Sequence, residues 1–222
     1  MQKMSTTDKE YLEKLRNYAT EIRTFLSNKM KPERERSVCC AFLRTLGIPF
    51  KDSEVIAPAN EPADVMFREA RFQIKDILES DHLRGDVWKD NQHKYETATS
   101  IDEAIETDRP PMPTPVDLNA LIPEVTAVLS EEVNKYFTTR QDLDMLIYLD
   151  LRKRFLAAES AAPNVESLKA QGWRSVSLLF PPYGVVLFAK PEAPDFLKAA
   201  EAKLHMKWSD IDTLFHPRNC GS

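Results

Sequence analysis

Glycine is scarce in this chain, five residues in 222. That argues against a loop cradling nucleotide phosphates, which needs several close backbone approaches in one turn. Cysteine is scarcer still: Cys39, Cys40 and Cys220 form neither a disulfide framework nor a zinc spacing. A reducing cytoplasm is the compartment expected. No apolar run has the length of a membrane span, and no charged-then-apolar leader opens the chain, so neither a span nor a secretory signal is expected. A strong excess of one charge is missing too. A net charge of −5 argues against a protein that coats nucleic acid, but leaves room for an enzyme that meets a phosphate backbone through one local patch. His82, His205 and His216 lack metal-ligand spacing.

What is present suits a folded α/β chain. Apolar residues make up 42% and charged residues 29%, ordinary values for a globular protein able to bury a core. Thr7-Asp8-Lys9-Glu10 has the form of a capping box, and Tyr11, Leu15, Tyr18, Ile22 and Phe25 recur behind it at helical spacing, predicting a helix over 8–27. A second helix begins near Pro32, carries the stripe Val38, Phe42, Leu43 and Leu46, and stops at Gly47. A short strand follows near Glu54–Ala57, and "WKDNQHKYETATSIDEAI" contains a helix with Lys89, Gln92 and His93 on its exposed side. The run "TDRPPMPTPV" is a semi-rigid connector. Two helices are predicted beyond it, over 117–136 and 139–158, with stripes Leu118-Leu121-Val125-Val128 and Leu143-Leu146-Ile147-Leu151. "VSLLF" and "VVLFAK" flank "PPYG" as a hairpin, its second strand covered on both faces, and a last helix spans about 195–205. Two basic runs, Lys29 to Arg36 and Arg152 to Arg154, are either solvated helix faces or contacts for a polyanion.

The most informative stretch is Pro62 to Leu78, "PADVMFREARFQIKDIL". A turn centred on Glu69 and Ala70 would pair Asp64 with Lys75 and Met66 with Gln73 across two antiparallel strands. Asp64, Gln73 and Lys75 then share one face, and Val65, Phe67, Phe72, Ile74 and Leu78 take the other, where a core needs them. One reading of the polar trio is an Asp64–Lys75 ion pair on a solvated sheet face, contributing roughly 0–1 kcal/mol.

A second reading comes from resemblance. The order helix, strand, aspartate-bearing strand and a strand with "FQIK" resembles the PD-(D/E)XK nuclease superfamily over Glu33 to Leu78. The stretch from Glu33, "ERERSVCCAFLRTLGIPFKDSEVIAPANEPADVMFREARFQIKDIL", also resembles an uncharacterised bacterial family of proposed endonucleases. The resemblance implies a mixed central β-sheet flanked by helices, a restriction-endonuclease-like core, and metal-dependent hydrolysis of DNA phosphodiester bonds. It implies Mg²⁺ (or Mn²⁺) held by Asp64, by Gln73 in place of the usual second acid, by the Ile74 carbonyl and by Glu35 on the preceding helix. Lys75 would position the attacking water. Glu35 rather than Glu33 is the helix candidate because it lies in register with Val38 and Phe42. Two departures stand out: Ala63 separates Pro62 from Asp64, and Gln73 is neutral.

These readings give one domain over 1–222, with a nuclease-like core about 33–106 and 165–205, an N-terminal helix 8–27 and a helical insertion about 117–158. DNA is the expected partner and a membrane is not. The alternatives are a catalytically inactive nuclease fold that binds nucleic acid or protein, or an interaction protein acting through the helical insertion.

Overall fold

The computed structural model describes residues 6–60, 62–79, 84–105, 112–151, 153–157 and 162–207. Arg152, His82, His216 and Cys220 lie outside the described residues. Two compact units are formed. One contains the described residues up to Lys31 and those from Glu79 to Met112; the other contains Pro32–Leu78 and the residues from Pro113 onward.

The first unit is helical. Helix α1 (Thr6–Leu26) packs with α3 (Arg84–Thr97) and α4 (Ile101–Ile105), burying Leu12, Ala98 and Ala104 against Leu15 and Tyr95. Tyr18 meets Trp88 edge-on at 5.4 Å between ring centroids, and Arg16 Nε donates to the Tyr95 carbonyl at 2.8 Å. Gln92 accepts from Arg23 and donates to Glu96, so this residue is engaged within its own unit.

The second unit is built on a mixed sheet of seven strands, in the order β1 (Val55–Ile56), β2 (Val65–Phe67), β3 (Ala70–Leu78), β5 (Asp144–Asp150), β7 (Ser175–Phe180), β8 (Tyr183–Ala189) and β9 (Leu204–Met206). Helix α2 (Lys31–Thr45) precedes β1 (Val55–Ile56), β2 (Val65–Phe67) and β3 (Ala70–Leu78), which pair antiparallel. A short parallel pair of β4 (Thr114–Val116) and β6 (Arg154–Leu156) stands apart from the main sheet, and α5 (Leu118–Glu132) and α6 (Glu166–Lys169) complete the middle of the chain. Strands β3, β5 (Asp144–Asp150) and β7 (Ser175–Phe180) run parallel; β8 (Tyr183–Ala189) and β9 (Leu204–Met206) close the far side antiparallel, with α7 (Asp195–Ala200) between them.

The helix expected over 139–158 is instead the central strand β5. Leu143, Leu146, Ile147 and Leu151 do fall at helical spacing, but they belong to a nearly continuous apolar run. Asp144 to Leu149 are all buried because a parallel strand covered on both faces has no polar side to show. Only the first half of 117–158 carries the predicted helix. The last helix stops at Ala200, and the chain turns through Ala202, at φ 56°, into an edge strand. The "PPYG" hairpin forms as expected, and Val185–Phe188 are buried.

Each sheet face has its own core. Val38, Phe42, Leu43 and Leu46 of α2 pack with Val65, Phe67, Phe72, Ile74, Leu146 and Tyr148 on one side. Leu121, Val125 and Leu129 of α5 pack with Ile77, Met145, Ile147 and Leu149 on the other. No helix among the described residues is long and apolar enough to cross a membrane.

Candidate active site

The hairpin that carries the polar trio is tighter than the sequence suggests. Val65 aligns with Phe72, Met66 with Arg71 and Phe67 with Ala70, leaving only Arg68 and Glu69 in the turn. Arg68 takes a left-handed φ of 50°, lays its guanidinium 4.7 Å from the centre of the Phe67 ring, and donates to the Pro49 carbonyl at 2.9 Å. These contacts hold a conformation that a non-glycine residue otherwise avoids. The pairing of Asp64 with Lys75 and Met66 with Gln73 is therefore corrected by two residues. Asp64 falls opposite Gln73. An even shift preserves facing, so the trio still shares one side of the sheet.

Asp64 is tied to β3 twice. Its backbone N–H donates to the Phe72 carbonyl at 2.9 Å, and its Oδ2 accepts from the Ile74 N–H at 2.9 Å. The same oxygen accepts from Gln73 Nε2. Gln73 is only 2% exposed, and its other amide atom, Oε1, is buried with no hydrogen-bond partner. Two residues along, Lys75 Nζ lies 3.0 Å from Glu132 Oε1 on α5, with side chains 25% and 19% exposed. Glu132 Oε2 is likewise buried without a partner.

This face is not the solvated one that the ion-pair reading requires, and the partner of Lys75 is Glu132 rather than Asp64. Glu132 is the residue that the sequence analysis missed. The signal was there: it continues the stripe of Leu118, Leu121, Val125 and Val128 by one helical turn, so it faces the sheet. A carboxylate at such a position needs a cation, and Lys75 on the facing strand supplies one.

Glu35 is placed differently. It is half-buried in the N-terminal part of α2, which packs against the Phe72–Ile74 face, the reverse of the face bearing Gln73 and Lys75. Arg36 fixes that end of α2 by pairing with Asp52 and donating to the carbonyls of Val55 and Asp52, each at 2.8 Å. Arg154, from the second basic run, grips Glu124 with bonds of 2.5 and 3.1 Å. Both arginines are therefore structural. Among the described residues, no three His, Cys, Asp or Glu side chains gather in a group able to hold a metal ion. The carboxylates that meet Gln73 and Lys75 are Asp64 and Glu132.

A second charged cluster lies at the start of the parallel strands. Asp144 is fully buried and accepts from the Arg71 N–H at 3.0 Å, Ser175 Oγ at 2.8 Å and Arg174 Nε at 3.1 Å, with a further bond from Arg174 Nη2. Arg174 also donates to the Glu69 carbonyl at 3.0 Å. Every polar oxygen here has a donor, and the cluster joins β3, β5, β7 and the hairpin turn.

No curated protein sequence matches the chain. A solved structure described as a protein of unknown function from Pseudomonas aeruginosa strain PAO1, Monooxygenase Superfamily, matches with a TM-score of 0.65 at 25% identity. The match covers 90% of this chain and 96% of that one. A family model covers residues 7–212, almost the whole length. The chain belongs to the family described as "Putative endonuclease, protein of unknown function (DUF1780)".

Proposed function

We propose that the protein is an endonuclease that hydrolyses DNA phosphodiester bonds with Mg²⁺ or Mn²⁺ at the Asp64–Gln73–Lys75 face of β3. The observation that carries this reading is the buried Gln73 Oε1, an acceptor with no donor on a side chain bonded to the Asp64 carboxylate. Burying such an oxygen unpaired costs about 1–3 kcal/mol, so a group that supplies positive charge is favoured there. Hard oxygen donors of this kind suit Mg²⁺ or Mn²⁺. Asp64 and Gln73 would hold the ion. Ile74 enters only through its carbonyl, because its N–H is committed to Asp64. Glu35, carried by α2 on the reverse face of the sheet, is left out of this ligand set. When bound, the ion would polarise the phosphodiester and make its water more acidic.

Lys75 orients the attacking water and neutralises charge on the phosphate oxygens. Its ammonium is fixed in advance by Glu132, so little ordering remains for the reaction itself. The element order, α2 followed by the β1–β2–β3 meander and then a parallel β5, also supports the PD-(D/E)XK resemblance. The monooxygenase label of the Pseudomonas structure points to oxygen chemistry. A carboxylate, an amide and an ammonium on one strand pair suit phosphate hydrolysis better.

Gln73 favours a second reading: with one charge fewer than the superfamily's usual pair of acids, the fold could bind DNA without cutting it. Plasmid nicking in Mg²⁺, Mn²⁺ or chelator, by the wild type and Lys75→Ala, separates the two. Metal-dependent nicking that disappears in the variant supports the endonuclease. Equal nicking by both proteins assigns the activity elsewhere. Salt-dependent DNA binding with no nicking in any metal leaves the binding module.

A further inference from the structure

We infer that Glu132 is the second carboxylate of this site, supplying from helix α5 the charge that Gln73 lacks on the strand. The inference rests on the endonuclease reading for its purpose, but on separate observations for its geometry.

Glu132 occupies an inward position of α5, one turn beyond Leu129 and two beyond Val125, both fully buried. An acid on that stripe loses most of its hydration, so each of its oxygens gains from a donor or a cation. Glu132 uses one. Oε1 lies 3.0 Å from Lys75 Nζ, while Oε2 is buried with no donor. Gln73, two residues from Lys75 on the same face of β3, shows the same pattern: Nε2 donates to Asp64 and Oε1 is buried without a partner. Gln73, on the same face as Lys75, and Glu132, the partner of Lys75, thus each leave one acceptor oxygen without a donor.

That pattern contrasts with the cluster at Asp144, where a buried carboxylate of the same chain has a donor for each oxygen. A single orphan carboxylate oxygen also occurs at Asp52, beside Arg36, so what sets the Lys75 face apart is that Gln73 and Glu132 each leave one there. A divalent cation with its waters is a group that would match two carboxylates and an amide. Asp64, Gln73 and Glu132 would hold that cation, and Lys75 would remain beside Glu132.

The test is Mn²⁺ binding to the purified full chain, by calorimetry and by the spin-resonance signal of free Mn²⁺. Wild type, E132Q and E131Q are compared, Glu131 being the exposed neighbour on the same helix. One Mn²⁺ per chain in wild type and E131Q, weakened at least tenfold in E132Q, is the result expected. Wild-type affinity in E132Q overturns the inference, leaving Glu132 a partner of Lys75 only. No stoichiometric Mn²⁺ in wild type also overturns it.

Should E132Q lack a folded circular-dichroism spectrum, E132D makes the same comparison, since it keeps the charge but withdraws it by one methylene. Weakened binding supports the inference and unchanged binding overturns it. Plasmid nicking on the same samples keeps the two proposals distinct. Mn²⁺ held through Glu132 without nicking retains this inference and removes the endonuclease. Nicking by a wild type whose Mn²⁺ site ignores Glu132 does the reverse.

Discussion

Gln73 donates to Asp64 a hydrogen bond that an ionised carboxylate in its place could not. Gln73→Glu would set two carboxylates against each other at a 2%-exposed position, where like charges cannot both ionise without a cation. In chelator the variant should be less stable than wild type, with a melting temperature lower by several degrees. Mn²⁺ should reverse the loss, because a third carboxylate raises affinity by on the order of tenfold, about 1.4 kcal/mol. Thermal melts with and without Mn²⁺ check this, and a deficit that Mn²⁺ leaves unchanged would remove Gln73 from any metal site. Lys75 carries a different prediction. An exposed ion pair would make its loss nearly neutral, but its partner Glu132 is only 19% exposed. Lys75→Met should therefore cost about 1–3 kcal/mol in urea unfolding, the usual penalty for a buried group stripped of its partner. Adding Glu132→Gln should recover most of that stability. It should not recover nicking, which falls roughly 10²–10⁴-fold when a positioned proton-handling or charge-stabilising group is removed.

At the scale of elements, β5 shows what the sequence concealed and why. The hairpin of β2 and β3 was legible because its alternation is strict and one face must be apolar; Val65, Phe67, Phe72 and Ile74 are buried as expected. The register was not, because a left-handed Arg68 held by Phe67 and Pro49 is a tertiary outcome with no local signature. In β5 the apolar residues leave no period to read, and Asp144 looks like an ordinary surface acid. Glu132 escaped notice for the opposite reason: its helix was recognised, but an acid near a helix end passes for the solvated terminus. Asp144 is instead the bolt across the parallel strands, joining Arg71, Arg174 and Ser175. Asp144→Ala leaves Arg174 facing a buried gap, and should cost about 3–5 kcal/mol. Urea unfolding measures it; a loss under about 1 kcal/mol would mean the cluster is solvated in solution.

At the scale of the whole sheet, the candidate site and a tight approach of helix α2 lie on opposite faces, and that separation can be tested. Helix α2 approaches β8 over Gly184, where an added Cβ would lie 3.0 Å from Thr45 Cγ2 and 3.4 Å from its Cβ. Thr45 cannot rotate away freely, because its Oγ1 donates to the Ala41 carbonyl at 2.9 Å. Gly184→Ala should thus force α2 outward at a cost of about 1–3 kcal/mol, typical of overpacking. Thr45→Ser deletes Cγ2 and keeps the hydroxyl, so it should return a large part of the loss in the Gly184→Ala background. In the wild-type background it should itself destabilise slightly, through the methyl it removes. The cycle of four proteins in urea isolates the contact as a favourable coupling energy between the two substitutions, and strict additivity would mean that α2 already has room. The lysine, the amide and Glu132 all belong to the α5 side. Mn²⁺ affinity of the folded Gly184→Ala protein should therefore equal that of wild type. A metal site that weakened together with this contact would tie the chemistry to α2 and its Glu35, rather than to α5 and Glu132.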